Sequence, residues 1–309
     1  MSFSSALAFR DDVVARFPGQ GSIAHGAGAP WRDSPHWSVV AAVSDVSGVD
    51  VERLLLEADD DEIIRTDNAQ LATFALSLVG FGDLLDLGVR PRYHLGHSLG
   101  EFSALVAAGV LTLDDGARVI TARGRAMARA AQRSDGSMVA VMGASEGARE
   151  ALAGIDGLWV ANVNGEGQIV TSGTRAALDE LLARHRELGW RRATPLAVGG
   201  AFHSPLMADA QVDLDHALAN ATYHDSETRV IANVDASTPA DARHWQTLLS
   251  RQLTSPVEFL DACLALPGHV STTVELPPGN VLTGLSKRIR TFDAQYAPSS
   301  SLELREFSI

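Results

Sequence analysis

At 309 residues with 46% apolar side chains, the chain can build one large domain, or one domain carrying an insert, around a sizeable core. A net charge of −13 argues against nucleic acid as the main partner. The single cysteine, Cys263, excludes an internal disulfide and fits a reducing compartment, so a cytoplasmic protein is expected.

In chain order, residues 13–17 read as a strand that runs into Pro18-Gly19-Gln20-Gly21-Ser22. A strand followed by a Gly-rich loop places backbone N–H groups at a sheet edge, where ligands sit in open α/β sheets. The Gly-x-x-x-x-Gly-Lys spacing of a phosphate loop is missing. Residues 26–35 read as loop, 37–46 and 52–58 as helices, and 66–87 as a long helix with Asp67 as its cap. Asp83 and Asp86 interrupt the most apolar run, residues 71–87, which is too short and too polar to span a bilayer.

Next comes Gly96-His97-Ser98-Leu99-Gly100. The preceding residues 93–95 read as the end of a strand, and 101–108 as a helix stopped by Gly109. Strand, Gly-x-Ser-x-Gly, helix is the context of a nucleophile elbow. Its sharp turn lifts the serine hydroxyl into a cleft, and the glycines leave room where strand and helix cross. The Leu99 N–H and the helix N-terminus then supply half of an oxyanion hole. Residues 114–133 form another helix bearing five arginines, of which Arg123, set among alanines, is the one expected to point away from solvent.

The pattern then changes to strand 137–142, helix 145–153, strands 159–163 and 168–172 joined by a turn, helix 174–188 capped by Thr174, and strand 193–198. This β-α-β-β-α-β order is the ferredoxin-like split unit. The chain returns through Gly199-Gly200-Ala201-Phe202-His203-Ser204-Pro205, where Ser204 suits an N-cap and Pro205 a first helical position. His203 therefore stands before a helix N-terminus, whose dipole disfavours a charged imidazole and keeps it available as a base. Strands at 230–234 and 272–275, helices at 245–253 and 281–290, and a loosely ordered tail from Ala297 complete the reading. A serine nucleophile needs a base, and the residues alone leave two histidines open: His203, and His269 with Asp241 or Asp261 as third member.

Several separated motifs, in order, resemble the malonyl-CoA:acyl-carrier-protein transacylase family, including the acyltransferases of polyketide synthesis. They are Phe17-Pro18-Gly19-Gln20-Gly21-Ser22, Gly96-His97-Ser98-Leu99-Gly100-Glu101, Arg123-Gly124-Arg125, Asn162-Val163-Asn164, Gly200-Ala201-Phe202-His203-Ser204, Arg251-Gln252-Leu253, and Pro278-Gly279-Asn280-Val281-Leu282-Thr283-Gly284-Leu285. The resemblance implies an α/β-hydrolase-like catalytic subdomain, residues 1–130 and 200–309, carrying a ferredoxin-like inserted subdomain, residues 131–199. It selects His203 as the base over His269.

The resemblance also implies a ping-pong reaction. Ser98 takes a malonyl group from malonyl-CoA, and the phosphopantetheine thiol of an acyl carrier protein takes it from Ser98. By the same resemblance the Gln252 backbone carbonyl orients His203, the N–H groups of Gln20 and Leu99 hold the oxyanion, and Arg123 pairs with the acyl carboxylate. Phe202 in the acyl pocket disfavours an α-methyl branch. No metal or redox cofactor is implied, and a monomer is expected. The basic pairs Arg191-Arg192 and Lys287-Arg288, with Arg290, are expected to flank the cleft and receive an acidic carrier protein. One departure stands out: Ile23 and Gly26-Ala27-Gly28 replace the family's Gln and Gly-Met-Gly, which bears on the preferred donor. Three other readings stay open: a pathway enzyme using another acyl group or carrier-to-carrier transfer, a serine thioester hydrolase, and a catalytically idle docking module.

Overall fold

A computed structural model describes residues 7–307. Its strands are β1 (Phe9–Phe17), β2 (Arg90–Gly96), β3 (Gly136–Ala144), β4 (Leu158–Gly165), β5 (Gln168–Thr174), β6 (Trp190–Pro195), β7 (Arg229–Ile231), β8 (Thr272–Glu275) and β9 (Ala294–Tyr296). The helices are α1 (Ser38–Ser47), α2 (Val51–Leu56), α3 (Asp60–Ile63), α4 (Thr66–Asp86), α5 (Leu99–Ala107), α6 (Leu113–Arg133), α7 (Ala148–Ala151), α8 (Arg175–Arg184), α9 (Ala208–Ala219), α10 (His244–Gln252), α11 (Phe259–Leu264), α12 (Val281–Ser286) and α13 (Ser301–Glu306).

Two sheets result. The larger runs β7-β2-β1-β8-β9, with every recorded pairing parallel. Its central strand β1 is covered on both faces, which is why residues 13–17 read as a near-continuous apolar run. The smaller sheet is antiparallel in the order β4-β5-β3-β6, as the split β-α-β-β-α-β unit requires. Helix α4 is buried along most of its 21 residues because α1, α2, α5 and α6 pack around it. An all-round apolar helix is a core helix, and no helix among the described residues is long and apolar enough to cross a membrane.

Several boundaries differ from the sequence expectations. Asp67 lies in the first turn of α4 and does not cap it; the N-cap is Arg65, with no side-chain cap bond. Strand β6 begins at the buried Trp190 and ends three residues early, freeing residues 196–199 to line a cleft. Helix α12 stops at Ser286, so Arg290 lies beyond it. The tail is not loose. Ser300 accepts a hydrogen bond from the Glu303 N–H, and Glu303 in turn accepts from Ser299, a capping arrangement. The buried Leu304 ties α13 to the core. Three short elements, α3, α11 and β9, carry too few residues for their periodicity to stand out in sequence.

Candidate active site

Ser98 is the N-cap of α5, with φ 52° and ψ −110°. A positive φ at a non-glycine residue costs on the order of 1–3 kcal/mol and persists only when its surroundings impose it. Here they do. A Cβ on Gly96 would stand 2.1 Å from the Glu101 nitrogen, and one on Gly100 would stand 1.9 Å from the Phe17 carbonyl oxygen. The chain crosses itself at a distance only glycine permits. Two side-chain amides grip the turn. Asn233, just past β7, accepts from the Ser98 N–H through Oδ1 at 2.7 Å and donates from Nδ2 to the Gly96 carbonyl at 2.7 Å. Gln252, closing α10, donates from Nε2 to the Ser98 carbonyl at 2.9 Å.

The Ser98 hydroxyl lies 2.7 Å from His203 Nε2, and His203 Nδ1 lies 2.9 Å from the Gln252 backbone carbonyl. A carbonyl only accepts, so Nδ1 carries the proton and Nε2 is the basic nitrogen facing Ser98. Burial, and next the charge of Arg123, push the His203 imidazole down to about 3, so it is neutral at pH 7. The helix-start dipole expected from sequence is therefore not the main cause. Ser204 does cap the turn ahead of α9, and Ser172 of β5 donates to the Phe202 carbonyl, which ties the histidine loop to the small sheet. His269 is exposed, its ring beside Tyr93, and takes no part.

Arg123 is fully buried, as its place among alanines predicted. Its guanidinium donates to Gln70 Oε1 at 2.7 Å, to Gln252 Oε1 at 3.0 Å and to the Ser98 hydroxyl at 3.1 Å. Among the described residues no carboxylate lies within ion-pairing distance of it. Burial lowers it to about 10, with Glu101 opposing the shift. Glu101, also fully buried, accepts from the Asn233 N–H at 2.7 Å and from Gln252 Nε2 at 2.5 Å. Burial raises its carboxyl to about 7.

Of these groups Ser98 and His203 open on a cleft of about 240 Å³ between the two sheets, with Arg123 joined to it through the Ser98 hydroxyl. Gln20 lines it from the loop after β1, Met138 and Asn162 from the small sheet, and Phe202 from the histidine loop. Ile23, the departure from the family motif, is also a wall residue. The backbone N–H groups of Gln20 and Leu99 have no acceptor within the chain among the described residues. His97, next to the nucleophile, lines the same cleft and bonds Asn164 Oδ1 at 3.0 Å.

The four docking candidates lie elsewhere. Arg191 and Arg192 are exposed on β6, and Lys287 and Arg288 are exposed just past α12. Met142 of β3 pairs with Arg192 on one side and with Gln168 on the other, and Arg288 donates to Gln168 at 3.2 Å. Arg192 and Arg288 thus meet the same row of the small sheet. Arg290 is different: it is committed to the Leu266, Pro267 and Val270 carbonyls and is no free surface cation.

Sequence reasoning gave no role to Gln70, Asn164, Ser172 or Asn233, and quoted Glu101 only as part of a motif. Two signals were available. Asn233 follows a strand at the carboxyl edge of a parallel sheet, where ligand sites gather, and Glu101 is the one carboxylate in an otherwise apolar helix.

A strained elbow serine, a neutral histidine and a cleft between two subdomains are the apparatus of an acyl-transfer enzyme that works through an acyl-serine. The chain belongs to the acyl transferase domain family, whose pattern matches residues 17–302. It is 34% identical over 288 residues to the malonyl CoA-acyl carrier protein transacylase of Bacillus subtilis, covering 90% of each chain. The structure of the malonyl-CoA:acyl carrier protein transacylase of Xanthomonas oryzae matches with a TM-score of 0.90 at 35% identity, over 96% of this chain and 97% of that one. A malonyl-transacylase solved in complex with its type II polyketide acyl-carrier protein matches with a TM-score of 0.89 at 31% identity, over 95% and 97%.

Proposed function

We propose that this enzyme moves a malonyl group from CoA to the thiol of an acyl carrier protein. One observation carries the reading: Arg123, buried and in no ion pair among the described residues, stands 3.1 Å from the Ser98 hydroxyl. A buried guanidinium with no carboxylate in contact is costly, Glu101 acting on it only at longer range, and an acyl group ending in a carboxylate supplies a contact partner by bidentate pairing.

The steps balance without an added cofactor. Ser98 Oγ attacks the thioester carbonyl while His203 Nε2 takes the hydroxyl proton. The tetrahedral intermediate, its oxyanion on the Gln20 and Leu99 N–H groups, collapses and expels the CoA thiolate, which receives that proton. Malonyl-Ser98 remains. The carrier's phosphopantetheine thiol then gives its proton to His203 and attacks the ester. Ser98 leaves and is reprotonated. Each oxyanion donor contributes on the order of 3 kcal/mol to lowering the barrier. Phe202 crowds an α-methyl branch and so favours malonyl over methylmalonyl. No step calls for a metal or redox centre.

The remaining assignments belong to the same proposal: small subdomain 131–199, a cytoplasmic location, and carrier docking at Arg191, Arg192, Lys287 and Arg288. The shared sheet row of Arg192 and Arg288 supports a single docking face. Intact-protein mass spectrometry with a panel of acyl-CoAs tests the reading. A malonyl increment on Ser98, with much smaller ones from acetyl-CoA and methylmalonyl-CoA at equal concentration, is expected. A long-chain increment in its place, or rapid release of free acid to water without a carrier thiol, overturns it.

A further inference from the structure

We propose that Glu101 is the positioning residue of this site: its carboxylate dictates how Gln252 and Asn233 face and, through them, holds Ser98 and Arg123 in their reactive arrangement. The inference rests on the acyl-transfer reading and adds to it a residue that touches neither substrate nor reacting atoms.

Hydrogen-bond direction decides how this network faces. An ionised carboxylate can only accept. Gln252 must therefore turn its NH2 toward Glu101 Oε2, and its Oε1 is left facing Arg123. The flipped amide would set oxygen against carboxylate and NH2 against guanidinium, two repulsions in a site without water access. The same NH2 reaches the Ser98 carbonyl. The other Glu101 oxygen accepts the Asn233 N–H and so places the side chain that grips the Gly96 carbonyl and the Ser98 N–H. One carboxylate thus orders the backbone on both sides of the strained serine and gives Arg123 one of its two side-chain amide acceptors. Its anchor Gln252 also offers the backbone carbonyl that orients His203.

The glutamate is 0% exposed, so solvent cannot replace a lost bond, and a buried network missing one member is worse than none. Two charged groups bear on it: Arg123 from α6 favours the carboxylate, and Asp235 beyond β7 opposes it. His203, one residue further along the network, is neutral. Protonating Glu101 turns one of its two oxygens into a donor facing either the Gln252 NH2 or the Asn233 N–H, and so releases the arrangement.

The test measures labelling of Ser98 by malonyl-CoA, acetyl-CoA and a fluorophosphonate, a serine probe without an acyl carboxylate, in parent and Glu101→Gln, with thermal melting as a check on folding. A glutamine at 101 has one acceptor for two donors, so its NH2 meets either the Gln252 NH2 or the Asn233 N–H donor to donor. We expect malonyl transfer to fall about 10²-fold, the size of a misplaced reacting group. Acetyl transfer should fall less, because Arg123 is not engaged, and fluorophosphonate labelling should fall measurably. In the parent the labelling rate should rise with pH as Glu101 ionises near 7, and this limb should vanish in Glu101→Gln. Gln252→Met, which removes the relay and keeps Glu101, should reproduce the donor-dependent loss and provides the same comparison if Glu101→Gln does not fold. Parent-like labelling and malonyl preference in the variants overturns the inference. So does an equal loss for all three reagents with the limb near pH 7 intact. Failure of the functional reading shows separately, as a parent that takes up no malonyl mass, and the fluorophosphonate arm still tests Glu101.

Discussion

His203 Nδ1 donates to the Gln252 backbone carbonyl at 2.9 Å, the place that a carboxylate occupies in a Ser-His-Asp triad. The carbonyl fixes the tautomer as an aspartate would, but it brings no negative charge to stabilise an imidazolium. This agrees with an imidazole held well below its usual range by burial and by Arg123.

The pair Ser98 and His203 gives the first prediction. Ser98→Ala should abolish acyl-enzyme formation from malonyl-CoA, and His203→Ala should slow it by about 10²–10⁴-fold, the usual worth of a positioned base. Quenched-flow acylation read by mass spectrometry checks both. A stable acyl mass on Ser98→Ala would falsify the nucleophile assignment.

Arg123 is predicted to set the choice of acyl group. Arg123→Ala should cut malonyl transfer by on the order of 10²-fold, since a charge-assisted bond is worth about 1.5–3 kcal/mol, and should leave acetyl transfer no worse. Competition between the two donors in one tube reads the ratio directly. An unchanged ratio counts against the carboxylate site.

The elbow predicts a stability effect. Gly100→Ala forces a Cβ against the Phe17 carbonyl oxygen at 1.9 Å, and Gly28→Ala meets Leu55 at a looser 2.7 Å. Gly100→Ala should lose on the order of 3 kcal/mol of stability and also lose fluorophosphonate labelling, because β1 and α5 are pushed apart at the nucleophile. Gly28→Ala should cost less and keep labelling. Urea melts and a labelling gel compare the two.

Acid should destabilise the fold through His203. Its folded value is about 3 against 6.5 unfolded, so below about pH 6.5 the unfolded chain binds a proton the native state refuses, and stability falls down to about pH 3. Glu101 has the opposite sign. Raised from 4.5 to about 7, it takes up a proton in the folded state first, so its contribution grows as pH falls from about 7 to 4.5. The two oppose each other down to about pH 4.5; below that, of the two, only His203 acts, and His94, lowered by burial to about 4, adds to it down to about pH 4. His203→Gln should therefore flatten the loss of stability below pH 4.5, which urea melts at stepped pH measure. An equally steep loss in the variant refutes the assignment.

Carrier docking gives the last prediction. The enzyme carries −13 overall, so attraction of an acidic carrier needs a local patch of opposite sign. Arg192→Glu with Arg288→Glu should raise KM for carrier protein and leave self-acylation from malonyl-CoA nearly unchanged. The difference should shrink with salt, since exposed charges are screened over about 8 Å at physiological ionic strength. Identical kinetics at low salt would move the docking face elsewhere.

The sequence by itself determined what local chemistry enforces. Gly96 and Gly100 mark a crossing that no other residue fits. Ser204-Pro205 announces a helix start, Thr174 caps α8, and the change of period after residue 133 marks the inserted unit. Arg123 among alanines already pointed inward. Tertiary structure alone decided what depends on contacts between distant segments. Asn233 and Gln252 reach Ser98 across 135 and 154 positions, and Glu101 reaches the Asn233 backbone N–H and the Gln252 amide across 132 and 151. No local pattern encodes such pairings, because a buried hydrogen bond is chosen by which donors the fold delivers to one acceptor. The low His203 value likewise comes from burial and a charge on another helix, neither visible in its own loop. Residues from Ala297 read as loose in sequence, but the Ser300 cap and the place left for Leu304 beside α4 make a helix of them.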